Sequence, residues 1–557
     1  MRTDGTPHIY RNLSHEPASR SGSRRSRRST FGDPPCRAPC RAPPDRNSTC
    51  SDVLACTVLR YQSGRYPSEH DAPRISMAMR TSLLIAAVLL TASPAFAQAP
   101  AAAAPGTINN PFAGTPIEAT RDIITVGFEE FATLPDDNGV AARPMLLVDD
   151  PGTGRLFVNS MTGPLYSLSY DGRSVVLYVN INDPRWSVNV QSSARERGFQ
   201  SFAFHPDFGH PGTPGFGKFY TWTDTQNMAP PDFGPAEAAP AIVQDEVLLE
   251  WTALTPSAAT YDGGPPRELW RLADPFANHN GGHATFNPLA RPGSPDYGLL
   301  YVGAGDSGSG GDPFHHAQNL GRMFGKILRI DPLGRNSANG KYGIPADNPY
   351  ASDNNPLTLG EIYAVGVRNP QRFAWDPVTG DMFVSDIGQN IVEEISLVTK
   401  GANLGWNNWE GSYLFVSREE VRVTAPRSDP AMTYPVVEYS HHDPLLLNNV
   451  AVTGVVVYRS NAIPQLRNRV IFGDFPSGEI FYFSADQLPN GGQDEIRRVL
   501  LRDGSQTKTF LQVIQTKNAQ QRRDPVAPRT DLRFGEGPNG MVFLLNKWDS
   551  TIRRLIP

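Results

Sequence analysis

Beyond Ala97 the chain contains no cysteine, because all four (Cys36, Cys40, Cys50 and Cys56) lie within its first hundred residues. That excludes a disulfide framework, a cysteine zinc site and a covalently attached c-type haem from the remaining stretch of about 460 residues. Its stability must come from a large core, for which such a length suffices. Long apolar runs are equally scarce. The one of note, Met79 to Ala97 (MRTSLLIAAVLLTASPAFA), has an apolar centre from Leu83 to Leu90 and the small-residue ending Ala95-Phe96-Ala97. It is far shorter than the roughly 20 apolar residues of a spanning helix and reads as a secretory signal peptide. Basic charge is also short. The first 97 residues hold 14 Arg against 7 acids, leaving 37 basic against 49 acidic residues beyond them, a net charge of −12. Nucleic acid is thereby disfavoured as a partner.

A signal peptide works at an N-terminus, yet 78 residues rich in Arg, Ser and Pro precede this one, with a basic run from Ser21 to Ser29. Either translation starts at Met77 or Met79, or the segment is a disordered basic tail; neither needs a fold. The expected organisation is a leader over 1–78, a signal peptide over 79–97, an Ala/Pro-rich linker over 98–120 and one domain over 121–557. Such a protein is periplasmic or secreted, with no membrane span after signal removal.

What the domain does have is Gly, Pro and short aromatic or β-branched runs, with no long helical periodicity, which is an all-β pattern. One phrase recurs: an apolar strand, a turn around Pro or Gly with an acid or Asn, and a second apolar strand. Copies are LLVDDPGTGRLFVNS (146–160), FAFHPDFG with KFYTWTD (202–224), ATFNP with GLLYVGAGD (284–306), FAWDPVTGDMFVSDIG (373–388) and LRFGEGPNGMVFLLN (532–546). A sixth unit falls at 454–484. Irregularly spaced units, each carrying two inner strands of a four-stranded sheet, predict a six-bladed β-propeller; the alternative, a pair of β-sandwiches, does not explain the repeats. The spans Asp224 to Tyr261 and Arg335 to Leu359 read as long loops on the propeller face, where function resides.

The chemistry-bearing residues cluster at the ends of these phrases. Asn278-His279-Asn280-Gly281-Gly282-His283 opens one strand and Gly303-Ala304-Gly305-Asp306-Ser307-Gly308 closes the next. Glycines let backbone approach a ligand, and a His there can serve as a general base or simply as a hydrogen-bonding group. Gly366-Val367-Arg368-Asn369-Pro370-Gln371 offers a planar cationic fork and a mixed donor and acceptor, suited to an anionic ligand or to a neighbouring carbonyl. Ser385-Asp386-Ile387-Gly388-Gln389-Asn390, Glu393-Glu394 and the run Gly401 to Gly411 containing Trp406 supply acids and loop carbonyls that suit calcium or plain solvation.

Taken in order, GFQSFAFHPDF, NHNGGH, GAGDSG, EIYAVGVRNPQRFAWDP, SDIGQNIVEEI, KGANLGWNNWEG and VIFGDFPSGEIFYF resemble the glucose/sorbosone dehydrogenase family over roughly residues 140 to 556. The resemblance implies a six-bladed propeller holding pyrroloquinoline quinone (PQQ) with calcium, an oxidoreductase that turns an aldose-type sugar into its lactone and passes electrons to an external acceptor. It implies that His279 takes the proton of the anomeric hydroxyl, oriented by Asp306, while hydride passes to the quinone. Arg368, Asn369 and Trp406 would contact the cofactor, and the carbonyls of Gly388 and Gln389 would bind calcium. Four departures stand out. Gly282 is followed by His283 where soluble glucose dehydrogenases have Arg; the calcium loop reads Gly-Gln rather than Gly-Pro; the Trp that stacks on PQQ is replaced around Leu447 and Asn448; and Pro476 and Ser477 stand where a cation is expected. They make the chain similar to the hedgehog-interacting-protein-like branch and keep open a non-enzymatic propeller that binds carbohydrate or protein on the same face. A lactonase propeller would also use calcium and a His, but lacks the motif order.

Overall fold

The structure is a computed structural model that describes residues 109–447 and 449–557. The expected leader, the signal peptide and linker residues 98–108 lie outside the described residues. The rest of the expected linker, 109–120, lies against the sheets: Phe112 packs on Ile391, Val392 and Val421, and the Ile117 N–H donates to Asp443 Oδ2 at 2.7 Å.

Each recurring phrase is a hairpin. Pro144–Asp150 and Arg155–Ser160 meet with Asp150 opposite Arg155, and Pro370–Trp375 and Met382–Asp386 with Trp375 opposite Met382. The turns close at Gly154 and Gly380, whose φ values of +67° and +83° fall where a side chain is strained. Two further strands extend each hairpin into an antiparallel four-stranded meander. Phe199–Phe204 leads through Lys218–Thr225 and Gln244–Thr252 to Arg267–Asp274. His283–Phe286 leads through Leu300–Ala304 and Lys326–Ile330 to Ile362–Val365, and Val452–Tyr458 through Arg469–Asp474 and Ile480–Ser484 to Arg497–Asp503.

The last meander is completed from the far end of the domain. Arg533–Gly537, Met541–Leu545 and Thr551–Ile556 take Ile124–Thr133 as their outer strand, antiparallel to Thr551–Ile556. The first strands of successive meanders lie side by side in a ring, from Pro144–Asp150 through Phe199–Phe204, His283–Phe286, Pro370–Trp375 and Val452–Tyr458 to Arg533–Gly537. The ring closes where Leu147 pairs with Gly535. Facing sheets bury their apolar sides against each other, as Trp222, Leu248 and Trp270 do against Ala284, Leu300 and Val302; burying such surface drives the fold at about 25 cal/mol per Å2.

Two elements depart from expectation. The presumed loop Asp224 to Tyr261 contains the strand Gln244–Thr252 (QDEVLLEWT), whose acids are buried rather than solvated: Asp245 pairs with Arg271 at 2.7 Å, Glu250 with Lys218 and Arg267 at 2.9 Å each, and Glu246 accepts from Asn280 Nδ2 at 3.2 Å. The helix Phe510–Gln521 starts at a capping box in which the Thr509 side chain accepts from Gln512 N. No described helix is long and apolar enough to cross a membrane.

Candidate active site

At the end of the ring where first strands begin, the loop before His283–Phe286 holds His279 at φ +60°, its N–H donating to Glu196 Oε2 at 2.8 Å. Close approach is built in, since a Cβ on Gly305 would stand 1.6 Å from the His279 carbonyl oxygen. Asp306 follows Leu300–Ala304 and is fully buried. Its Oδ1 lies 2.6 Å from His279 Nδ1 and accepts from Gly308 N at 2.9 Å, while Oδ2 accepts from the Trp406 indole N–H at 2.8 Å. Burial pushes the Asp306 carboxyl up, but His279 and then Arg368 outweigh it and hold it below the ordinary range. An ionised Asp306 fixes the proton on His279 Nδ1, which leaves Nε2 as the acceptor.

Arg368 is joined to this pair through its backbone, its carbonyl accepting from Asp306 N at 2.8 Å. Asp386 clamps the turn, accepting from Arg368 N at 2.8 Å and Asn369 N at 2.7 Å. The guanidinium lies 5.6 Å from the Trp406 ring centroid and donates to the Ile387 carbonyl at 3.0 Å and Gln389 Oε1 at 3.3 Å. Its Nε has no partner among the described residues. Asn369 Oδ1 accepts from Gly281 N at 3.0 Å. Trp406 is buried, packed edge-on against Phe415.

Gly388 and Gln389 sit in the turn after Met382–Asp386. One oxygen, Glu410 Oε1, accepts from the N–H groups of Gln389, Asn390, Ile391 and Val392 at 2.9, 3.0, 2.8 and 3.0 Å. A Cβ on Gly388 would stand 1.6 Å from the Val392 carbonyl oxygen. Behind the turn Glu394 and Glu410 each leave one buried carboxylate oxygen without a partner among the described residues, while Glu393 Oε1 lies 2.6 Å from His441 Nε2. Burial, followed by Asp386, drives the Glu394 carboxyl well up, and burial brings Asp386 to about 7. No cluster of three His, Cys, Asp or Glu side chains is arranged around a metal position among the described residues.

The structure therefore gathers His279, Asp306, Arg368, Asn369, Trp406, Gly388 and Gln389 at one end of the ring. His283 points elsewhere, its Nδ1 accepting from Phe373 N at 2.9 Å. Sequence reasoning missed Glu196 and a set of cations. Beside Pro476, the Phe475 ring centroid has Arg533 at 4.1 Å, Arg529 at 5.0 Å and Lys547 at 5.5 Å. Gln371 ties them to the site, donating to Asn369 Oδ1 at 3.3 Å and accepting from Arg533 Nη2 at 3.2 Å. Burial, then Arg533, pushes the Lys547 ammonium down to about 7. These residues come from a different meander than Pro476, so no local spacing could reveal them.

With this geometry in place, residues 267–506 match the family described as Glucose / Sorbosone dehydrogenase. Over that segment, a little under half of the chain, it resembles the glucose/sorbosone dehydrogenase family. The chain is also similar to HIPL1 protein of Arabidopsis thaliana, 30% identical over 306 residues that cover 50% of this chain and 43% of that protein. HIPL2 protein of the same plant is 29% identical over 369 residues, 60% of this chain and 51% of that protein. The chain thus spans about half the length of the curated relatives it matches, and the likeness agrees with the branch indicated by the four departures. The soluble aldose sugar dehydrogenase of Escherichia coli in its apo-form shares the fold, with a TM-score of 0.52 at 18% identity over 78% of this chain and 99% of that one.

Proposed function

We propose that this protein is a PQQ- and calcium-dependent dehydrogenase that oxidises an aldose-type sugar to its lactone and passes electrons to an external acceptor. The observation that carries the reading is His279, held through Nδ1 by Asp306 at 2.6 Å beside Arg368 and Asn369. The closed ring of four-stranded meanders supports a six-bladed propeller, and the Met79 to Ala97 segment supports a periplasmic or secreted location.

The residues present fit both groups. PQQ is anionic, and Arg368, whose Nε has no partner among the described residues, provides positive charge to meet it together with Arg533 and Lys547 beside Phe475. Calcium favours oxygen donors; among the described residues no N–H donates to the Gly388 or Gln389 carbonyl, and the orphaned carboxylate oxygens lie just behind. PQQ, when bound, would supply the two-electron sink. In the protein's own part, His279 Nε2 accepts the proton of the anomeric hydroxyl, Asp306 balances the imidazolium so formed, and Arg368 and Asn369 orient the bound anion.

Purified protein supplied with PQQ and calcium should show a cofactor absorbance change and reduce a dye with one or more aldoses. His279→Ala should lower turnover by roughly a hundredfold or more while PQQ still binds; equal activity would remove His279 from the chemistry. A second reading, a propeller that binds carbohydrate or protein without catalysis, is favoured by the His279 side chain being only 6% exposed. A saturating addition of PQQ that leaves the melting temperature unchanged would decide for it, since a ligand bound only by the folded state must stabilise that state.

A further inference from the structure

A cavity of about 820 Å3 opens at the end of the ring opposite His279, among the turns that join first strands to second strands. It has the size of a small-molecule site. Phe202, Phe286, Trp375, Val455 and Phe534 give it apolar walls. Its deep end, further along the strands from the mouth, is formed by Arg372 and His283.

Arg372 is a buried cation without a counter-charge. Its side chain donates to the carbonyls of Gln371 and Met145, its Nε has no partner among the described residues, and the charged group acting on it is Arg533, which repels it. Two of five guanidinium N–H groups are thus used, and an uncompensated buried charge is costly. His283 stands beside it, kept neutral by burial and then by Arg372. Because its Nδ1 accepts from Phe373 N, its proton resides on Nε2, a second donor that meets no acceptor among the described residues.

We infer that this cavity binds an organic monoanion, an aromatic or aliphatic body carrying one carboxylate or sulfonate, with the anionic group on Arg372 and His283. A planar or forked oxyanion matches the guanidinium, and the apolar walls take the body. Asp150, Asp207 and Glu536 at the mouth disfavour a second negative charge on the outer end of the ligand.

The test uses the full chain and two fluorescent probes of similar shape, 1-anilinonaphthalene-8-sulfonate and its neutral counterpart N-phenyl-1-naphthylamine. The sulfonate should bind saturably at one per chain. Arg372→Met should weaken it roughly ten- to a hundredfold, the loss of a charge-assisted pair, and leave the neutral probe unchanged. Should Arg372→Met fail to fold, Val148→Trp, which fills the cavity from a half-buried wall position, should weaken both probes. Absence of saturable sulfonate binding overturns the inference. So does binding that survives in the folded variants or is displaced by PQQ, which would place the anion on the cations around Phe475.

Discussion

Asp306 spends both carboxylate oxygens on other groups, one on His279 and one on the Trp406 indole, so it acts through the imidazole. Asp306→Asn keeps the shape but removes the charge that fixes the proton on Nδ1. If the dehydrogenase reading holds, kcat should fall by roughly a hundredfold or more with KM for the sugar unchanged, and Asp306→Glu should recover part of it. A parallel rise in KM would assign Asp306 to substrate binding. The sequence made His279, Asp306, Arg368 and Asn369 legible because each sits at the end of a recurring phrase, where glycines mark close backbone approach. Trp406 was legible as a site residue but not as the donor to Asp306, since that bond joins positions a hundred residues apart. Arg529, Arg533 and Lys547 stayed hidden for the same physical reason: their common neighbour Phe475 belongs to another meander.

The turn over residues 387–392 depends on a single acceptor, with four backbone N–H groups converging on Glu410 Oε1. Glu410→Gln keeps an acceptor but loses the charge, and charge-assisted bonds are about twice as strong as neutral ones. The variant should melt lower than the parent and lose whatever stabilisation calcium gives the parent; an unchanged calcium effect would move the ion away from Gly388 and Gln389. At this scale the hairpins were readable because apolar alternation and a Pro or Gly turn lie within some fifteen residues. Third and fourth strands were not. Gln244–Thr252 carries acids at Asp245, Glu246 and Glu250, which imitate a solvated loop until the partners Arg271, Asn280, Lys218 and Arg267 are brought in by folding.

Over the whole molecule, several buried carboxyls without a strong cationic partner are held in a proton-retaining state. Burial raises Asp224, Asp386 and Asp474 each to about 7, although the Ser477 side chain and the Ser477 and Ala451 N–H groups, which donate to Asp474, pull that carboxyl back. For a group such as Asp474 the folded chain keeps a proton that the unfolded chain has released, so stability falls as pH rises from 3.8 to about 7 and the loss is complete above that window. Asp474→Asn, which cannot ionise, should therefore gain in melting temperature relative to the parent as pH is raised from 4 to 8. A gain of equal size at both values would point to packing rather than charge. Lys326 and Lys547, lowered to about 7, contribute in the opposite sense above that pH, regaining stability as it rises towards their ordinary value.

The seam between Ile124–Thr133 and Thr551–Ile556 sets a timetable for the molecule's making. A nascent chain produces the outer strand of the last sheet more than four hundred residues before the strand that will receive it. That early segment has no strand partner until Arg497–Asp503, which pairs parallel with its first four residues, has been made, and its own sheet is completed only when Thr551–Ile556 follows. Contacts of such long range are slow to form, so this six-residue strand acts as a latch on the sheet that joins the two ends of the domain.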